Sequence, residues 1–126
     1  GFTETKLGLI PSTIGPYVVG KMGEARAREV FMSANIFNEL DAERLNIVSE
    51  ISDDLDQSAE KHITSYLKTA PKAVGEAKSL VRSLGATIDD KVIEQTIEQL
   101  ADIWEGEEAR HGIESFLNKT KPRWSN

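Results

Sequence analysis

The second half of the sequence places apolar residues at helical spacing in four consecutive stretches. In each stretch these residues fall on one helical face and leave the other face charged. Helices this short gain most of their stability from packing, so the four apolar faces need partners. Proline or glycine separates the stretches, which predicts several short helices. The predicted helices cover residues 55–67, 74–84, 93–104 and 109–117, with breaks at Pro71, Gly85, Gly106 and Pro122.

The first 54 residues carry a less regular pattern. β-branched and apolar residues between Phe2 and Ile10 predict an extended loop or the end of a strand. The alternation over residues 47–51 is the strongest strand pattern in the chain. Between these segments, turn and capping residues predict short helices. One begins at Pro16 and ends at Gly23, one covers Glu24 to Ala34, and one begins after Asn38 and ends near Asn46.

Composition excludes several kinds of site and partner. Fifteen Lys and Arg against 21 Asp and Glu give a net charge of −6, which disfavours nucleic acid and anionic membranes as partners. The chain has no cysteine, so disulfides, a thiol nucleophile and a cysteine-based zinc site are excluded. No apolar run approaches the roughly 20 residues of a membrane helix, and no signal peptide is visible. We therefore expect a cytoplasmic protein that binds neither nucleic acid nor membranes.

The spacing Gly15-x4-Gly20-Lys21 is close to that of a phosphate-binding P-loop. That loop needs Ser or Thr at the next position to bind magnesium, and this chain has Met22. Pro16 also removes one backbone N–H that the loop would direct at phosphate. These departures indicate that the glycines mark the ends of helices and do not form a phosphate-binding loop.

Glu108 and His111 have the spacing that puts two metal ligands on one helical face. A di-iron bundle needs a second such pair and two further glutamates. The only other histidine, His62, has Ala59 at the matching position. We therefore expect no metal site and interpret Glu108 and His111 as part of a solvated face.

A small basic and aromatic tail ends the sequence, formed by Lys119, Lys121, Arg123 and Trp124. Such a tail is most often a solvated terminus. The alternative is contact with a phosphate or an adenine ring.

Four segments together resemble the crotonase superfamily, the enoyl-CoA hydratases and isomerases. In many of these enzymes a catalytic glutamate stands four residues before a glycine, as Glu4 stands before Gly8 in Glu-Thr-Lys-Leu-Gly-Leu-Ile-Pro. The Glu-Thr-Lys-Leu opening resembles that of the methylglutaconyl-CoA hydratases, enzymes of leucine degradation. The other three similar segments are Phe37 to Val48, Pro71-x-Ala73 with Lys78, and Gly112 to Pro122.

The resemblance implies a mainly α fragment of an α+β crotonase fold. Residues 1–54 would form the end of the crotonase core, and residues 55–126 a C-terminal helical subdomain that serves oligomerisation. It implies Glu4 as a catalytic residue, and Phe116 and Lys119 as CoA-binding residues. The substrate would be an acyl-CoA thioester, hydrated without a further cofactor. The parent protein would form a homotrimer or hexamer, and Phe116, Trp104 and Leu100 would be buried or lie at interfaces.

The resemblance covers only the C-terminal part of a crotonase, and the chain begins Gly1-Phe2 without an initiator methionine. In the family, the upstream part carries the oxyanion hole and the first catalytic glutamate. We therefore expect a fragment that does not hydrate crotonyl-CoA by itself. Two alternatives remain open. The parent could be an isomerase of the same superfamily, or the chain could be a non-catalytic helical oligomerisation module.

Overall fold

The computed structural model describes residues 1–125. Over this range the chain forms one 3₁₀ helix and seven α-helices, and no strand. The 3₁₀ helix, Glu4–Leu7, is called the Glu4 turn below. The α-helices are α1 Gly15–Met22, α2 Glu24–Ser33, α3 Glu39–Arg44, α4 Leu55–Leu67, α5 Pro71–Leu84, α6 Asp90–Trp104 and α7 Glu107–Leu117.

The predicted helix boundaries are largely confirmed, because capping residues set them. Asn38 accepts a hydrogen bond of 3.0 Å from the backbone N–H of Asp41 and so caps α3. Asp54 and Asp89 cap α4 and α6 in the same way. Asn46 follows the end of α3 with a φ of 61°, the left-handed conformation that asparagine tolerates.

A small apolar core joins α1, α2 and the end of α3. Its buried members are Met22, Ala27, Val30 and Leu45. Partly buried side chains from neighbouring segments complete it, Phe2, Val18, Phe31, Phe37 and Ile47. Since Phe2 belongs to this set, the core also holds the chain that leads into the Glu4 turn.

The prediction of a strand over residues 47–51 is wrong for the structure described. The N–H groups of Ile47 and Val48 both point back to the carbonyl of Ala42, at 2.9 and 3.4 Å. Those donors are therefore not available to a neighbouring strand, and no extended partner lies alongside within residues 1–125. The apolar character of the segment instead serves the core, into which Ile47 packs.

The extended segment predicted between Phe2 and Ile10 is also wrong at its centre. The N–H of Lys6 bonds to the carbonyl of Thr3 at 3.0 Å, which closes a 3₁₀ turn. Gly8 then takes a φ of 71°, and the N–H of Leu9 returns to the carbonyl of Glu4 at 3.0 Å. A glycine that can adopt positive φ outweighs the β-branched composition of this segment.

The helices after residue 54 leave most of their apolar faces exposed. Tyr66 of α4 is 70% exposed and Leu80 of α5 is 58% exposed. The segment before α4 is held to it by Glu50, which accepts hydrogen bonds from Ser58 at 2.6 Å and His62 at 2.8 Å. These hydrogen bonds keep the pKa of Glu50 below its ordinary value, and the bond from Ser58 contributes most.

Three side chains expected in the core or at interfaces are not buried within this chain. Leu100 is half-buried, while Trp104 and Phe116 are 56% and 69% exposed. Burial inside the chain is therefore wrong for Trp104 and Phe116, and their place at a subunit interface stays a prediction. Among the helices described, none is long and apolar enough to cross a membrane.

Candidate functional site

The Glu4 turn packs on α7 through small residues. The buried face of α7 consists of Ala109, Gly112 and Ser115, which recur every third residue. A Cβ atom on Gly112 would overlap the backbone of Leu7, so only glycine allows the two segments this close. A Cβ atom on Gly8 would lie 2.5 Å from the carbonyl oxygen of Glu108. Two glycines thus let the Glu4 turn rest directly on the α7 backbone.

The opposite side of the Glu4 turn is attached to α2. The hydroxyl of Thr5 donates a hydrogen bond of 3.0 Å to the carbonyl of Phe31. The rings of Phe2 and Phe31 meet edge to face with their centroids 5.1 Å apart. Glu4 therefore lies in the sequence between Phe2 and Thr5, and both of these residues contact Phe31.

The carboxylate of Glu4 is held within this arrangement. Its Oε2 is shielded from solvent and has no hydrogen-bond partner among the described residues. Buried polar atoms are nearly always paired, so an unpaired carboxylate oxygen is an unusual feature.

A groove of about 450 Å³ runs between the Glu4 turn, the end of α2 and the C-terminal tail, residues 118–125. Phe116, Thr120 and Trp124 line one part of its wall. Thr5, Lys6 and Leu7 of the Glu4 turn also line it, although Glu4 does not. Lys119 lies outside the wall, exposed, with a φ of 54° just after α7. The structure thus brings Phe116 to the groove beside the Glu4 turn and leaves Lys119 outside the groove lining.

The tail folds back on α7. The backbone N–H of Arg123 donates a hydrogen bond to Nε2 of His111 at 3.0 Å. The guanidinium of Arg123 forms an ion pair with the Glu107 carboxylate at 2.8 Å. The ring of Trp124 meets the His111 ring edge to face, with centroids 5.5 Å apart. Arg123 and Trp124 are exposed, as expected for a solvated terminus, and both also contact α7.

The P-loop-like motif and the Glu108–His111 pair both lie within α-helices. Gly15, Gly20 and Lys21 all lie in α1, so they form no phosphate-binding loop. His111 contacts Arg123 and Trp124 and is half-buried, so it does not belong to a solvated face. The residues described contain no group of three or more acidic or histidine side chains that could hold a metal ion.

Sequence reasoning missed the residues that hold the site together. In the sequence Thr5 stands out only as part of a motif, and its partner Phe31 lies 26 positions away. Gly112 carried one available signal, since a glycine within a helical pattern often marks a close backbone contact. The position of His111 under the tail had no signal in the sequence.

Comparison with known proteins shows the family and the fold of the chain. The family model described as Enoyl-CoA hydratase/isomerase matches residues 1–126. Enoyl-CoA hydratase AKT6-1 of Alternaria alternata is 26% identical over 97% of this chain and 42% of its own. An enoyl-CoA hydratase from Shewanella pealeana is 37% identical in its crystal structure, with a TM-score of 0.60 over 98% of this chain and 47% of that one.

A second crystal structure, an enoyl-CoA hydratase from Mycobacterium avium, supports the fold. It gives a TM-score of 0.76 at 23% identity, over 98% of this chain and 49% of its own. The chain thus spans about half the length of the relatives it matches. Its helices correspond to the C-terminal helical part of a crotonase fold. The chain belongs to the enoyl-CoA hydratase/isomerase family.

Proposed function

We propose that the whole protein, of which this chain is the C-terminal part, adds water to an α,β-unsaturated acyl-CoA thioester, with Glu4 as one of its two catalytic carboxyl groups. The observation that carries the proposal is the carboxylate of Glu4. Its Oε2 is buried without a partner on a turn fixed from two sides. The family assignment supplies the thioester chemistry.

The reaction forms one C–O bond and one C–H bond, and it breaks one O–H bond of water and the π bond between the α- and β-carbons. The oxygen of water adds to the β-carbon, which places negative charge on the thioester oxygen, and a proton then adds to the α-carbon. Two carboxyl groups hold the water and move its protons. Backbone N–H groups would stabilise the charged oxygen, and the loss of one such donor typically costs about 10²–10³ in rate. We place those donors and the other carboxyl group in the part of the protein that precedes this chain.

The acyl group we propose is 3-methylglutaconyl. Its support is the segment Glu4 to Leu7, which resembles the corresponding segment of methylglutaconyl-CoA hydratases. An isomerase is the alternative within the family, because the family description covers both activities. An isomerase would move a proton between the α- and γ-carbons and would need no water.

The experiment is an activity assay on the whole protein. With crotonyl-CoA and with 3-methylglutaconyl-CoA, we expect loss of the ultraviolet absorbance of the conjugated thioester and formation of the 3-hydroxyacyl product. A β,γ-enoyl-CoA tests the isomerase alternative, since isomerisation would raise that absorbance. No turnover of any of the three would favour a non-catalytic helical oligomerisation module. The 126-residue chain alone is the control, and we expect no turnover from it.

We further propose that Phe116 and Lys119 contact the CoA moiety. Phe116 is 69% exposed and lines the groove beside the Glu4 turn, so its ring is available to stack on a planar ligand. Lys119 is exposed two residues after the end of α7, where an ammonium can act as a point charge toward a phosphate.

Lys119→Ala should weaken CoA binding by about two- to fivefold at low salt, as expected for one exposed charge pair. The loss should shrink as salt is added, because salt screens exposed charges. The melting temperature should stay nearly constant. Isothermal titration of CoA measures the effect, and Lys72→Ala on α5 removes the same charge as a control. Unchanged CoA affinity in Lys119→Ala would show that Lys119 has no phosphate role.

Phe116→Ala should raise the CoA dissociation constant by about two- to tenfold, the range expected when one aromatic stacking contact is lost. Because the ring is mostly exposed in this chain, the melting temperature should change little. The two quantities come from titration and thermal unfolding of the same sample. A large drop in melting temperature with unchanged CoA affinity would instead place Phe116 in an interface.

We propose that the whole protein is a homotrimer or hexamer. The support is the apolar surface that α4 and α5 leave uncovered, including Tyr66, Leu67, Val81 and Leu84, each at least 70% exposed. Surfaces of this kind on a folded chain usually mark contacts with another protein surface.

A further inference from the structure

We propose that Thr5 is a positioning residue for Glu4, through the hydrogen bond from its hydroxyl to the carbonyl of Phe31. The inference rests on the proposed function, because it concerns the group that we assign to catalysis. It adds a residue with a defined role to that site and identifies the end of α2 as its support.

The acceptor of this hydrogen bond is a carbonyl that α2 leaves free. Phe31 is among the last four residues of α2, whose carbonyls have no N–H partner further along the helix. The N–H of Ala34 bonds to Val30, and the N–H of Asn35 bonds to the hydroxyl of Ser33. The Thr5 hydroxyl, 3.0 Å away, therefore supplies the partner that the Phe31 carbonyl lacks within its own helix.

This contact fixes the Glu4 turn at the residue next to Glu4. On the other side of Glu4, the Phe2 ring packs against the rings of Phe31 and Phe37. The backbone of Glu4 is also fixed, since its carbonyl accepts from Leu9 at 3.0 Å. With both neighbouring segments attached to α2, little freedom remains in the direction of the Cα–Cβ bond of Glu4.

On its other side, the Glu4 turn packs against α7, but the Thr5 hydroxyl makes its hydrogen bond to α2. Gly112 lies against the backbone of Leu7, which prevents the turn from moving toward α7. That contact is steric and sets the distance between the turn and α7. The hydrogen bond to Phe31 is directional, so it sets the position along α2 from which Glu4 projects.

A positioning role has a kinetic signature. Misplacing a catalytic group by about 1 Å can cost about 10²-fold in rate, even when substrate binding is intact. Loss of one of several attachments should misplace Glu4 by less. We therefore expect Thr5→Val, which keeps the shape and removes the hydroxyl, to lower kcat about tenfold and leave KM nearly unchanged.

The experiment measures hydration kinetics and thermal unfolding of the whole protein with Thr5→Val, Thr5→Ala and Thr5→Ser. Thr5→Ala removes the hydroxyl without adding a methyl group, so it provides a second measurement if the valine variant does not fold. Thr5→Ser keeps the donor and should restore most of kcat. Equal losses of kcat in the serine and valine variants would show that packing matters and not the hydrogen bond, which would overturn the inference.

A double variant separates this inference from the proposed function. In the Glu4→Gln background, Thr5→Val should cause almost no further loss of kcat, because Thr5 acts through Glu4. A full additional tenfold loss there would overturn the positioning role. If Thr5→Val has wild-type kcat while Glu4→Gln is inactive, only the inference fails. If Glu4→Gln itself has wild-type kcat, the proposed function fails and the inference fails with it.

Discussion

Gly112→Ala should lower the stability of the protein by about 1–3 kcal/mol, the usual cost of forcing an extra carbon into a packed contact. The added Cβ atom would overlap the backbone of Leu7, which cannot rotate away as a side chain could. Alanine also favours a helix over glycine by about 1 kcal/mol, so the measured loss is what remains after that gain. The Glu4 turn would have to move off α7.

The measurement is thermal or urea unfolding, with Gly75→Ala as the matched control. Gly75 lies inside α5 and has nothing within 4 Å of an added Cβ atom. Its replacement should therefore stabilise the protein by about 0.5–1 kcal/mol through helix propensity alone. If Gly112→Ala stabilised the protein as Gly75→Ala does, the close contact between the Glu4 turn and α7 would be wrong.

Glu4→Gln should lower kcat for hydration by about 10²–10⁴, the range typical of a general acid or base. Glutamine has nearly the same shape but cannot take up or release a proton at neutral pH. The substitution also leaves the contacts of Thr5 and Gly112 in place, since neither involves the Glu4 side chain. Stability and CoA binding should therefore change far less than the rate.

Most helix boundaries could be predicted because local chemistry sets them. Pro71 begins α5, Gly85 follows the end of α5, Gly106 precedes α7, and the Asn38 side chain caps α3. The strand predicted at residues 47–51 failed because a strand depends on a partner, which local sequence does not specify. Likewise, the face that α7 buries consists of small residues, while its largest apolar residues stay exposed.

The candidate site was predictable in part. Glu4 was implied by the family resemblance, whose motif places a glutamate four residues before a glycine, and the family is confirmed over residues 1–126. Its catalytic role stays a prediction, as do the roles of Phe116 and Lys119. The support around Glu4 could not be predicted, because Thr5 bonds to Phe31 and Leu7 touches Gly112 only after the chain has folded. Such contacts between distant positions leave no local pattern.

The most direct test of the account is the kcat of the whole protein for crotonyl-CoA hydration with and without Glu4→Gln. Glu98→Gln, an exposed glutamate on α6, makes the same chemical change away from the Glu4 turn. We predict that Glu4→Gln lowers kcat at least a hundredfold while CoA affinity and melting temperature stay close to wild type, and that Glu98→Gln changes none of the three. Wild-type kcat in Glu4→Gln would contradict the account.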